Sequence, residues 1–195
     1  IFLIMIMKPG NIHKPKRGDF LISEPFMNDP NFGRTVVYLC EHNEEGSFGF
    51  IINRPTEVKV CDILDIAEFC NEKVFVGGPV EQNTLHFILR GDKGIEGSVE
   101  IADNIFWGGN FDQLLSKMEN KVIAGQDIRF FVGYSGWSDG QLDTEMGEGS
   151  WIVQKKPDPS LLFDLESEQQ WREVLRSMGG EFKVIANYPT DPRLN

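Results

Sequence analysis

Short runs in which apolar and β-branched side chains alternate with polar ones, each closed by Gly, Pro, Asn or Asp, fill most of the chain from Phe20 onward. Residues 20–23 read as a strand ended by Pro25 and Asp29-Pro30. Residues 34–42 and 48–53, joined by Glu44-Glu45-Gly46, read as a β-hairpin that Pro55 terminates. Between residues 60 and 69 the spacing of Ile63, Leu64 and Ala67 predicts a short helix. Residues 73–76, 84–89, 99–101 and 105–107 return to strand character, and Gly77-Gly78-Pro79 forces a tight turn. Leu114, Leu115 and Met118 form one face of a helix over residues 111–118. The most hydrophobic strand, residues 128–134, is expected at the centre of the sheet, covered on both faces.

After that strand, Ser138 is expected to cap a helix reaching about Met146, and residues 151–153 form another strand. The last helix is the best marked. Ser167 and Gln170 make a capping box, Trp171, Val174, Leu175 and Met178 an apolar stripe, and Gly179 a stop. Hairpins early and helices interspersed later predict an α+β fold: a mixed sheet curled on itself, flanked by three or four helices.

A chain of 195 residues with 41% apolar side chains buries about 70% of the surface its unfolded form exposes, so it needs no staples. Without repeats or linkers, one domain is expected over residues 18–195, preceded by a flexible basic arm, 1–17. The apolar run at residues 1–7 is too short to cross a bilayer and reads as a frayed start, with Met5 or Met7 as alternative first residues. Three cysteines, Cys40, Cys61 and Cys70, are an odd count that suggests free thiols in the cytoplasm.

Charge narrows the partners. The net charge is -11, yet residues 1–17 hold Lys8, Lys14, Lys16 and Arg17 and no acid, so the rest of the chain carries four charges more, or -15. Such a body repels phosphate backbones, and neither nucleic acid nor membrane is an expected partner.

Most candidate chemistry has a plain structural explanation. Gly133-Tyr134-Ser135-Gly136-Trp137 resembles a nucleophile elbow, but Trp137 stands where the second glycine belongs and none of His13, His42 or His86 has an assigned place as base. A tight strand-to-helix turn explains those glycines. Cys40 and His42 share a strand side without a second ligand pair, so no metal is expected. The acid pairs Asp62/Asp65, Asp139/Asp143 and Glu166/Glu168 read as solvated faces. Gly77-Gly78-Pro79 follows a strand as phosphate-cradling loops do, but has neither a Walker lysine nor a G-x-G-x-x-G pattern.

A set of polar residues beside glycines and prolines is the better site candidate: Asp29, Arg34, Asn53, Arg54, Gln141 and Glu145, expected to gather around Gly77, Gly78 and Pro79 and beside Trp137. The hairpin brings Arg34 and Arg54 to one end of the sheet, where acids must balance them.

Five segments together resemble one family, AlgH/YqgE: residues 18–32, Gly49-Phe50-Ile51-Ile52-Asn53-Arg54-Pro55, Gly77-Gly78-Pro79-Val80, residues 133–137, and Gly140-Gln141-Leu142 with Gly149-Ser150-Trp151. The resemblance implies a bifurcated sheet folded into a pseudo-barrel and a cytosolic protein without an established activity. Some members are labelled transcriptional regulators, although this chain has no helix-turn-helix, zinc pattern or basic recognition helix. The tail, residues 188–195, departs from shorter endings and is read as a cover for an edge strand or a neighbouring subunit. The preferred function is a non-enzymatic binding or regulatory protein without a cofactor, its partner an unknown protein or a small anionic ligand. The alternatives are an enzyme using the same polar set and a DNA-binding regulator.

Overall fold

The computed structural model describes residues 13–165 and 169–190. Strand alternation sets its first third. β1 (Phe20–Ser23) and β2 (Val36–Asn43) send Phe20, Ile22, Val36 and Tyr38 into one apolar layer and Leu21, Val37 and Leu39 into another. β3 (Gly46–Ile51) returns antiparallel to β2, and β10 (Trp151–Gln154) flanks β1 antiparallel from far along the chain.

The eleven-residue β9 (Ile128–Ser138) is the spine of the sheet. On one edge it pairs antiparallel with β6 (Val80–Arg90), which continues into β8 (Ile105–Trp107) and β7 (Val99–Ala102). The opposite edge is shared. β5 (Lys73–Val76) runs parallel to residues 130–132, and β3 runs antiparallel to residues 135–138. β4 (Pro55–Lys59) hangs from β5. The sheet is therefore mixed, mostly antiparallel and bifurcated.

Gly77 lies in the fork, donating its N–H to Val132 O at 2.9 Å and accepting at its own oxygen from Ile51 N at 2.8 Å. A Cβ on Gly77 would overlap Gly133 O and the Phe50 ring, and one on Gly78 the Tyr134 carbonyl, so only glycine lets the backbones approach this closely. The hydrogen-bonded path from β10 to β7 stays open. It nevertheless curls far enough that a Cβ on Gly18, just before β1, would stand 3.2 Å from Ala102 Cβ in β7. The result is a pseudo-barrel.

Phe20, Tyr38, Phe50, Ile88, Ile105 and Phe131 fill its interior, together with α4 (Pro159–Phe163) and α5 (Gln170–Met178). Trp171, Val174 and Leu175 on α5 are each buried there and stabilise the fold by about 1.5–3 kcal/mol apiece. A second layer joins Val74, Phe87 and Phe130 to α2 (Phe111–Glu119) and α1 (Val60–Ile63); a third joins Leu21, Val37, Trp137 and Trp151 to α3 (Gln141–Glu148).

Several local expectations change. Gly133 and Gly136 lie inside β9, not in a strand-to-helix turn, because β9 must continue past the fork to pair with β3. Ser138 ends that strand, and the N-cap of α3 is Gly140 at φ 66°. Pro55 starts β4. The helix expected after it breaks at the extended Leu64, leaving α1 and one 3-10 turn over residues 65–67. Two short helices, α4 and α6 (Phe182–Ile185), were not expected. Ser167, half of the expected capping box, lies outside the described residues.

Of the basic arm, residues 13–17 are described: Pro15 is buried, and Lys16 N–H donates to Asp19 at 2.9 Å.

Candidate functional site

The open end of the β2–β3 hairpin carries Arg34, Asn53 and Arg54, and each spends polar atoms on the protein. Asn53, 7% exposed, accepts from Val36 N–H and donates to Arg34 O, both at 2.9 Å, replacing ladder bonds the diverging strands no longer make. Asp29 Oδ1 accepts from the N–H groups of Asn31 and Phe32, which closes the loop before β2. Arg54 donates to Pro30 O at 3.3 Å and Gly33 O at 3.4 Å of that loop. Burial lowers the Arg54 pKa, and nearby Asp29 opposes the shift.

Arg34 departs in another direction. Its backbone is left-handed at φ 53°, its guanidinium lies 4.5 Å from the centre of the Trp171 ring, and Nη2 donates to Tyr188 O at 2.7 Å and Pro189 O at 2.6 Å. Tyr188 stacks on Phe26 at 5.7 Å, so the start of the tail is held against the loop between β1 and β2. Nε and Nη1 of Arg34 are buried without a hydrogen-bond partner among the described residues; desolvation and, secondarily, Arg172 lower its pKa.

Gln141 and Glu145 meet Trp137 on the outer face of the sheet. Glu145 Oε2 accepts from the indole N–H of Trp137 at 2.9 Å and of Trp151 at 2.7 Å, while Oε1 accepts from Gln141 Nε2 at 3.0 Å. Gln141 in turn accepts from Ser138 N–H. Phe32 stacks over Trp137 at 6.2 Å and meets Trp151 edge-on at 5.5 Å. The loop bearing Asp29 thereby joins the Trp137, Gln141 and Glu145 group, and Arg54 reaches the same loop. Arg34 turns instead toward Trp171, which belongs to the barrel interior.

Ser135 is fully buried, and its hydroxyl donates to Gly77 O at 3.0 Å, which ties the fork together. A bulge between Leu39 and Glu41 separates the other pair: Cys40 sits in the core, with burial pushing its thiol well up, while His42 shares a 2.7 Å hydrogen bond with Ser47.

The concave feature the sequence did not reveal is the mouth of the pseudo-barrel. A cleft of about 560 Å³ opens there, walled by Phe48, Phe50, His86, Trp107 and Tyr134, with Glu41 and Glu45 also lining it. Phe48 lies 4.7 Å from Trp107 and stands nearly perpendicular to Tyr134, at 82°; His86 meets Tyr134 at 86°. Thr84 Oγ1 is 2.9 Å from His86 Nε2, and burial lowers the imidazole pKa against the opposing effect of Glu81. The Trp107 indole N–H is buried with no partner among the described residues. A second hollow of about 350 Å³ continues past the same His86 and Trp107 toward Phe111. These aromatics come from four strands far apart in sequence, so no local pattern marks them as one group.

The family model described as AlgH-like matches residues 20–183, most of the chain. The chain belongs to the AlgH-like family. Relatives named UPF0301 protein share 43% identity in Cytophaga hutchinsonii, over 92% of this chain and 98% of the relative. In Chlorobaculum tepidum the figure is 44%, over 97% of both chains. Among solved structures, protein DIP2367 from Corynebacterium diphtheriae superposes with a TM-score of 0.79 at 21% identity, covering 96% of this chain and all of that one, a likeness of fold alone. The AlgH protein from Pseudomonas aeruginosa superposes at 0.71 with 26% identity, covering 93% and 96% of the two chains. This AlgH-like chain carries no described helix long and apolar enough to cross a membrane.

Proposed function

We propose that this AlgH-like protein acts by binding, as a non-enzymatic regulatory module, and that its ligand enters the aromatic cleft at the barrel mouth. One observation carries the proposal: a cleft of about 560 Å³ walled by half-buried rings, where the remaining polar candidates serve the fold itself. Glu145 and Gln141 hold tryptophans and a strand end, and Ser135 closes the fork. Those bonds argue against catalysis by the polar set, since a general base or nucleophile must reach a substrate. The three free thiols support work in a reducing cytosol. The charge of -11 favours regulation through a protein or small molecule over direct contact with DNA.

Indole resonances test the proposal. Trp137, Trp151 and Trp171 donate to protein acceptors. A fragment set of cationic, neutral and anionic compounds should therefore shift the Trp107 indole signal, and with it that of Trp137, which also lines the cleft, and leave Trp151 and Trp171 in place. Binding that persists unchanged in Trp107→Leu, or shifts only the Trp151 or Trp171 signal, refutes the cleft.

A further inference from the structure

Resting on that cleft as the binding site, we propose that its ligand is an organic cation, a quaternary ammonium or a guanidinium group. Phe48 and His86 each stand nearly perpendicular to Tyr134, and Trp107 closes in beside Phe48. Rings set as the walls of a box present electron-rich faces to a central charge, and tryptophan is the strongest such partner.

Charge points the same way. Glu41 and Glu45 line the cleft, no lysine or arginine is among its described lining residues, and Glu81 lies close enough to His86 to influence it. With a neutral imidazole, the mouth presents acids over aromatic faces on a chain of net charge -11, a field that concentrates cations and repels anions. The walls bring mainly apolar surface, which suits a weakly hydrated cation better than a compact, strongly hydrated primary ammonium. The ligand charge is thus opposite to that of the small anionic ligand expected from the sequence.

The chemistry can arrive as a free small molecule or as the side chain of a basic partner segment, and separate titrations distinguish these. Choline and 3,3-dimethylbutan-1-ol have nearly the same shape and differ in charge; arginine amide offers the guanidinium alone, and a short arginine-containing peptide adds a backbone. Each is titrated into the full chain while the Trp107 indole and the ligand methyl resonances are followed. Choline should bind about tenfold more tightly than its neutral isostere, with its methyl signals moved upfield by the rings. The double variant Glu41→Gln, Glu45→Gln should reduce that preference several-fold without unfolding the protein, since both side chains lie on the rim. Tighter binding of the peptide than of arginine amide assigns the cation to a partner chain, and equal binding assigns it to a small molecule. If the alcohol binds as well as choline, the cation inference fails while the cleft stands. If none of the four perturbs Trp107, both fail.

Discussion

Glu145→Ala should loosen α3 from the sheet and lower the stability of the whole fold. α3 is eight residues long, too short to persist alone, and it buries only Leu142 and Met146. Its carboxylate therefore contributes a large share of the attachment, holding the indole N–H groups of Trp137 and Trp151, which are 5% and 4% exposed. Truncation leaves both donors buried and unpaired, at about 1–3 kcal/mol each, while the exposed Gln141 amide turns to water at little cost. The helix propensity of alanine returns a few tenths of a kcal/mol, so the net loss is about 2–5 kcal/mol. Glu145→Gln keeps one accepting oxygen and loses charge assistance, which places it at about 1–2 kcal/mol. For a chain of this size 1 kcal/mol moves Tm by about 2–4 °C, so the alanine variant should melt about 4–20 °C lower. Urea unfolding followed by tryptophan emission measures the difference, and amide exchange should accelerate across residues 141–148 first. An alanine variant within about 0.5 kcal/mol of the wild type, with unchanged exchange in α3, would refute the clamp.

Gly77→Ala should destabilise by at least about 2 kcal/mol in urea unfolding, because its Cβ meets Gly133 O and the Phe50 ring at the fork; a neutral result means that the fork relaxes freely. Ser135→Ala should lose about 0.5–1.5 kcal/mol with its hydrogen bond to Gly77 O. The wild-type serine should stay unlabelled by a fluorophosphonate, and stoichiometric labelling that vanishes in the variant would make Ser135 a nucleophile. His86 has a folded pKa lowered chiefly by burial, so its contribution to stability is fully present above the unfolded value of about 6.5 and is lost as pH falls through the folded value. His86→Gln should flatten that acid-side decline, and parallel stability profiles for the two proteins would show that the imidazole is not involved. Gly136→Val should fold yet narrow the cleft, since a Cβ there already comes within 3.2 Å of the Tyr134 ring; choline affinity equal to the wild type's would put the ligand elsewhere.

The sequence was most readable where a strand is short and its neighbours are local. Phe20–Ser23, Lys73–Val76 and Ile105–Trp107 have the expected bounds, because alternation and flanking turn residues define them without reference to the rest of the chain. Long-range order left no such mark. Nothing in the composition of residues 151–154 says that they flank β1, and no local rule says that β9 shares one edge between β3 and β5. The glycines at 133 and 136 read as a turn because glycine weakens a strand locally; at Gly133 the close approach of the Gly78 and Val80 carbonyls outweighs that preference, and at Gly136 the nearest neighbour is the Tyr134 ring. The polar set was legible as a set of atypical residues. Its division was not, since the directions of Arg34 and Glu145 depend on Trp171 and Trp151, which arrive from distant elements.

The fork also explains why a cleft exists. β6 accompanies β9 only as far as the Val80–Tyr134 pair, and its register shifts between Val80 and Leu85, with Glu81 in a left-handed conformation at φ 45°. Beyond Tyr134, β9 keeps β3 as its neighbour through Ser138, so the tip of the β2–β3 hairpin projects past the end of β6. Phe48 then stands opposite Gly136, which has no side chain to fill the gap, and the rings of Tyr134, His86 and Trp107 line the cleft left there. A sheet that must divide to admit β5 therefore leaves its aromatic residues unfinished at one end, which is where an AlgH-like protein of this architecture has room to receive a ligand.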